Sequence, residues 1–147
     1  MGVSASEVNP ANLSRQVQAA KESLKRCLGS EAFLDIFYNK FLSVSDDIRN
    51  KFANTRFENQ KIMLKASLHI MLMLARGDLK NTQTMQQLAD VHGAKTLDIR
   101  PEYYHSWVES MLYAIQQTDP QYTPELGESW RQALQPGIDF MLSKYHQ

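Results

Sequence analysis

The sequence has little cysteine and no excess of basic residues. Only one of its 147 residues is a cysteine, Cys27, which excludes an intramolecular disulfide framework and a cysteine-based zinc ribbon. Lys+Arg and Asp+Glu both number 16, so the formal net charge is zero. Proteins that wrap nucleic acid or lie on anionic lipid carry a basic excess, and we therefore expect neither partner.

Long apolar segments are also absent. No apolar run approaches the roughly 18 residues that a membrane span needs, and the first residues do not form a basic and then apolar leader. These absences predict a cytoplasmic protein without a membrane-spanning segment.

Catalytic signatures are missing as well. The sequence has no glycine-rich phosphate loop, no nucleophile elbow and no HExxH zinc motif. The four histidines, His69, His92, His105 and His146, show no metal-ligand spacing among themselves. Metal-only hydrolysis and nucleophilic catalysis are therefore disfavoured.

What the sequence does contain is helical periodicity from about residue 12 onward. Apolar residues recur at intervals of three and four, and no segment alternates in the manner of a strand. The pattern predicts a single all-α domain of about seven helices, with residues 1–9 as a loose tail. The predicted helix boundaries are an end at Gly29, a start at Ser30, a cap at Ser45, an end at Gly77, a start at Pro101 and a kink or division at Pro136-Gly137.

One histidine stands out within this pattern. In QQLADVHGAKTLDIRPEYY, His92 ends an amphipathic helix one turn after Leu88, on the same face, and a helix that starts at Pro101 follows. A neutral imidazole that points inward from such a position is a good axial ligand for a haem iron. On spacing alone, a partly buried structural histidine remains an equal alternative.

Two segments together resemble the globin superfamily. LADVHGAKTLDIRPEYYHSWVESML resembles the globin helix F, FG corner and start of helix G, and FYNKFLSVSDDIRNKF resembles helices B and C of bacterial single-domain haemoglobins and of flavohaemoglobin haem domains. The resemblance covers about residues 12–145 and implies a globin fold. The short connection between Phe52 and Gln60 leaves no room for a separate helix D.

The resemblance implies roles for particular residues. His92 would be the proximal ligand of the iron of haem b, Phe52 would pack on the haem, and Tyr38 would point into the gas pocket. The competing interpretation of Tyr38 is a hydroxyl that reaches solvent or a backbone carbonyl. Gln60 would be the distal residue, with Lys61 as its rival, whereas His69 should face away from the haem.

Further residues would surround the haem, although each could equally be an ordinary core residue. These haem-cage candidates are Met63, Leu64, Leu68, Leu88, Val91, Leu97 and Val108. The cations offered for the haem propionates are Lys61, Lys95 and Arg100.

The implied function is reversible binding of dioxygen, nitric oxide or carbon monoxide at a pentacoordinate haem, for gas binding or gas sensing. Sensing would require a homodimer or a signalling partner. One alternative is nitric oxide dioxygenation with a separate reductase. The helix-H glutamate of flavohaemoglobins is missing in the stretch that begins at Asp139 and reads DFML, which counts against it. Another alternative is a haem-free sensor module.

Overall fold

The computed structural model describes residues 10–77 and 100–143, and within these ranges the regular structure is entirely helical. The helices are α1 (Pro10–Leu28), α2 (Phe33–Leu42), α3 (Asp46–Lys51), α4 (Phe57–Arg76), α5 (Tyr103–Thr118) and α6 (Pro124–Ser143). The all-α prediction is confirmed for these residues. The predicted helix through Leu88 and His92, and the predicted tail at 1–9, lie outside the described residues.

Several helix ends follow from local chemistry as predicted. The hydroxyl of Ser45 accepts a hydrogen bond of 3.1 Å from the backbone N–H of Ile48, and so caps α3. Gly77 ends α4 in the left-handed region, with φ of 81°, a conformation that costs a glycine little.

One boundary prediction was wrong, and another was wrong in part. Helix α2 begins at Phe33 rather than at Ser30, because the Ser30 hydroxyl accepts a hydrogen bond from the N–H of Ala32 in the turn before the helix. Pro136 does not divide the last helix, since α6 is continuous from Pro124 to Ser143. One missing backbone hydrogen bond costs this helix less than giving up its packing on α1 and α4.

The helices pack in a way that leaves space inside the domain. α1 packs on α6 and α4, α2 packs on α5, and α4 packs on α6. Gly137 of α6 lies so close to α4 that a first side-chain carbon there would sit 2.7 Å from Cγ of Met71. Helices α4 and α5 thus have different main partners, and a cavity opens between them.

A buried polar network fixes the far end of α5. The carboxylate of Asp119 accepts hydrogen bonds from Ser23 at 2.6 Å and from Arg26 Nε at 2.7 Å, both on α1, and from the N–H of Gln121 at 2.9 Å. Burial raises the pKa of Asp119, but hydrogen bonds from Arg26 and Ser23 outweigh this effect and hold the pKa below its ordinary value. The network ties the C-terminal end of α5 to α1.

None of the described helices is both long and apolar enough to cross a lipid bilayer.

Candidate functional site

The cavity between α4 and α5 is the candidate site. It contains about 650 Å³ of atom-free space, part of it continuous with solvent. The α2–α4 wall consists of Phe37, Tyr38, Phe41, Gln60, Met63, Leu64, Ser67 and Met71. The α5–α6 wall consists of Tyr103, Tyr104, Trp107 and Met141, and Phe52 lines the cavity beyond α3.

Tyr38 provides the clearest polar group on the α2–α4 wall. Its ring is held edge-on against Phe57 at 5.3 Å and Phe37 at 5.0 Å, and only 6% of the residue is exposed. Its hydroxyl donates a hydrogen bond to the backbone carbonyl of Gln60 over 3.4 Å, which is long for an O–H donor. Both features considered for Tyr38 are therefore present: the residue lines the cavity, and its hydroxyl contacts a backbone carbonyl.

The two rivals for the distal position differ in their surroundings. Gln60 lines the cavity. The Lys61 ammonium is instead 2.5 Å from the carboxylate of Asp35 on α2 and 3.4 Å from that of Glu58. The hydrogen bond to Asp35 raises the pKa of Lys61 above its ordinary value. Lys61 is therefore committed to carboxylates of the protein itself.

The other predicted residues are placed as follows. Phe52, Met63 and Leu64 line the cavity. Leu68 is fully buried in the core and Val108 is partly buried against it, and neither is among the described lining residues. His92, Leu88, Val91, Leu97 and Lys95 lie outside the described residues.

Two predictions about exposed side chains can also be compared with the structure. His69 is exposed, with its Nδ1 2.9 Å from the carbonyl oxygen of Lys65, so it faces away from the cavity as predicted. Arg100, half exposed, has its guanidinium 3.9 Å from the carboxylate of Glu102.

Sequence reasoning missed the α5–α6 wall. Trp107 packs edge-on against Phe37 at 5.7 Å and also lines the cavity. The Tyr104 hydroxyl points to the sulfur of Met141 at 3.9 Å. Tyr103, Tyr104 and Trp107 share one side of α5 by helical spacing, and this aromatic stripe after Pro101 is the signal that could have identified the wall.

The stretch that replaces the helix-H glutamate is also visible. Asp139 is exposed and accepts a hydrogen bond of 2.7 Å from Gln135, whereas Met141 of the same stretch lines the cavity. The side chain by which Met141 contributes to this wall is therefore a thioether and not a carboxylate.

The lining defines what the cavity can bind. It is rich in aromatic and aliphatic surface, and residues with polar side chains are few among those that line it: Tyr38, Gln60, Ser67 and Tyr103 are examples. Such a surface fits a flat, largely apolar group that carries a small number of polar atoms.

Comparisons with known proteins agree with this architecture. Residues 35–139 match the globin family. A crystal structure of a Pseudomonas aeruginosa protein, described as structurally highly homologous to a human hemoglobin, is 34% identical, with a TM-score of 0.85 over 90% of this chain and 99% of that chain. A comparison with curated proteins gave no match.

Proposed function

Because the chain belongs to the globin family and carries the globin fold, we propose that it binds haem b in the cavity and, through it, a diatomic gas such as dioxygen, nitric oxide or carbon monoxide. The observation that carries the proposal is the meeting of Tyr38 and Gln60 on one largely apolar wall. A buried hydroxyl and an amide at such a wall can donate hydrogen bonds to a small ligand that carries partial negative charge.

The described residues fit a haem in two respects. The aromatic and methionine side chains of both walls offer the apolar surface that a porphyrin face requires. The hydroxyl of Tyr103 is buried without a hydrogen-bond partner among the described residues, as expected where a bound group supplies the partner. On this proposal His92 is the side chain that binds the iron.

A haem iron held by one imidazole supplies an open coordination position at which a diatomic gas binds. The protein's contribution on the gas side comes from Tyr38 and Gln60. Burial raises the pKa of Tyr38, so the hydroxyl keeps its proton at neutral pH and remains a donor. Its present bond to the Gln60 carbonyl is long, and rotation of the O–H toward a gas ligand therefore costs little.

These donors discriminate between gases by charge. Dioxygen held at such an iron would carry partial negative charge, whereas carbon monoxide would carry far less, so Tyr38 and Gln60 would favour dioxygen. A hydrogen bond to such charge in a dry site contributes about 1–3 kcal/mol, which is about one to two decades in affinity. We therefore propose reversible oxygen or nitric oxide binding as the function, whether for storage, scavenging or sensing.

The test is an absorption titration of the purified chain with haem, followed by reduction with dithionite and addition of carbon monoxide and then of oxygen. We expect a Soret band that shifts with each ligand, and a loss of haem affinity in His92→Ala. His105→Ala is the matched control, because His105 is exposed on the outer side of α5. Absence of a Soret band after haem addition would contradict the proposal and leave a haem-free globin module.

A further inference from the structure

The α5–α6 wall contains a buried polar atom that the gas-binding proposal does not use. Tyr103 is 7% exposed and lines the cavity, and its hydroxyl has no hydrogen-bond partner among the residues that the structure describes. Leaving a buried hydroxyl unpaired carries a penalty in free energy. A molecule that fills the cavity and presents a polar atom there would remove this penalty.

The adjacent tyrosine, Tyr104, differs from Tyr103 because the protein supplies a partner for its hydroxyl. Tyr104 lines the same cavity and is equally buried, but its hydroxyl already contacts the sulfur of Met141 at 3.9 Å. The two side chains have the same chemistry and the same exposure, and they differ in whether the protein supplies a partner. The hydroxyl of Tyr103 is the one left for a ligand.

We propose that Tyr103 binds the cofactor itself, by donating a hydrogen bond from its hydroxyl to a carboxylate oxygen of the porphyrin. The inference rests on the proposed haem binding. Away from its metal centre, haem b has only its two propionate carboxylates as polar groups, and an ionised carboxylate is the stronger acceptor for a phenol. Tyr103 therefore serves the cofactor, whereas Tyr38 and Gln60 on the other wall serve the gas.

Two of the cations that the sequence offered for a propionate are already paired within the protein. The Lys61 ammonium is 2.5 Å from the carboxylate of Asp35, and the Arg100 guanidinium is 3.9 Å from that of Glu102. The Tyr103 hydroxyl, by contrast, has no partner among the described residues and can donate to an anionic group.

The experiment compares Tyr103→Phe with Tyr113→Phe in the haem-loaded protein, because Tyr113 of the same helix is 40% exposed and is not among the described lining residues. The readout is the rate at which haem transfers to an excess of a haem-scavenging apoprotein. We expect about tenfold faster haem loss from Tyr103→Phe, and a change within about twofold for Tyr113→Phe. Before haem is added, the melting temperature of Tyr103→Phe should equal or exceed that of the wild type, because the substitution removes an unpaired buried hydroxyl.

A chemical control identifies the acceptor. The wild type and Tyr103→Phe are both loaded with haem dimethyl ester, which has no ionised carboxylate. The difference in the rate of haem loss between these two proteins should then largely disappear. Equal haem loss from the two proteins, an undiminished difference with the ester, or a change confined to oxygen dissociation would each overturn the inference. A wild-type chain that takes up no haem would instead overturn the proposed function.

Discussion

The two walls of the cavity are built from similar apolar material but are held in different ways. The α2–α4 wall is a continuous set of ring contacts, in which Phe41 stacks on Phe37 at 5.5 Å and meets Phe52 at 6.0 Å. The α5–α6 wall is held in addition by a network away from the cavity, in which Asp119 at the C-terminal end of α5 accepts hydrogen bonds from Ser23 and Arg26 of α1. One wall depends on packing, and the other depends also on a buried charge.

The two walls should therefore respond differently to a change in pH. Ring packing is insensitive to pH, whereas a buried carboxylate stabilises the protein only while it is ionised. The α2–α4 wall should therefore keep its shape over a wide pH range, and the position of α5 should depend on the Asp119 network. Substitutions that act on one wall alone can test this contrast.

The largest effect is expected for Asp119→Asn. The amide carries no charge and keeps only one acceptor oxygen for Arg26 and Ser23, so we expect a loss of about 3 kcal/mol in the free energy of unfolding, measured by urea denaturation. Asp139→Asn is the matched control, since Asp139 is exposed and should change stability little. Equal stabilities for Asp119→Asn and the wild type would mean that the network does not anchor α5.

The same network predicts a dependence on pH. The pKa of Asp119 is lowered in the folded state, so its contribution is complete above the ordinary aspartate pKa of about 3.9. This contribution is lost as the pH falls through the lower, folded-state pKa. Circular dichroism should show a smaller acid destabilisation in Asp119→Asn than in the wild type, and identical acid profiles would contradict the assignment.

A smaller effect is expected from filling the cavity at the α2–α4 wall. Ser67 lines the cavity, whereas its neighbour Ala66 is exposed. Ser67→Phe should weaken haem binding about 30-fold, equivalent to ~2 kcal/mol, because the added ring occupies the space of the porphyrin. Ala66→Phe should bind haem as the wild type does. A Ser67→Phe variant that folds and binds haem normally would place the haem elsewhere.

Tyr38→Phe should change gas binding without changing the cavity. We expect oxygen to dissociate about tenfold faster, because the donor to the partly charged gas is lost, and carbon monoxide dissociation to change much less. Stopped-flow spectroscopy of the ferrous protein measures both rates. An unchanged oxygen rate would remove Tyr38 from the gas site.

The smallest effect separates the two residues at the start of α4. Gln60→Leu should speed oxygen dissociation about threefold, since a neutral amide is a modest donor. Lys61→Met should leave that rate unchanged, because the lysine is paired with Asp35 outside the cavity lining. The reverse ranking would make Lys61 the distal residue.

The α2–α4 wall could be predicted from the sequence because its polar members interrupt an apolar pattern. Tyr38, Gln60, Met63 and Leu64 have the spacing of one helix face or of a known family segment, and the structure brings all four to the cavity. The ends of α3 and α4 were predictable for a similar reason, since a Ser45 cap and a left-handed Gly77 are local chemistry.

The α5–α6 wall could not be distinguished from an ordinary core by such reasoning. The sequence pattern of an aromatic stripe on a helix is the same whether the stripe faces another helix or a cavity. Only the separation of α4 from α5 in the structure shows that this stripe faces a cavity. The Asp119 network was hidden as well, because Ser23 and Asp119 are 96 residues apart in the sequence. Leu68 was a candidate for the haem cage as well as for the core. It lies in the core, because the apolar face of α4 continues beyond the cavity lining.

The most direct test is a crystal structure of the haem-loaded protein. We expect a porphyrin between the two walls, with Tyr38 and Gln60 on the gas side and the Tyr103 hydroxyl about 3 Å or less from a propionate oxygen. A porphyrin bound outside this cavity, or a cavity filled by side chains while haem lies on the surface, would contradict it.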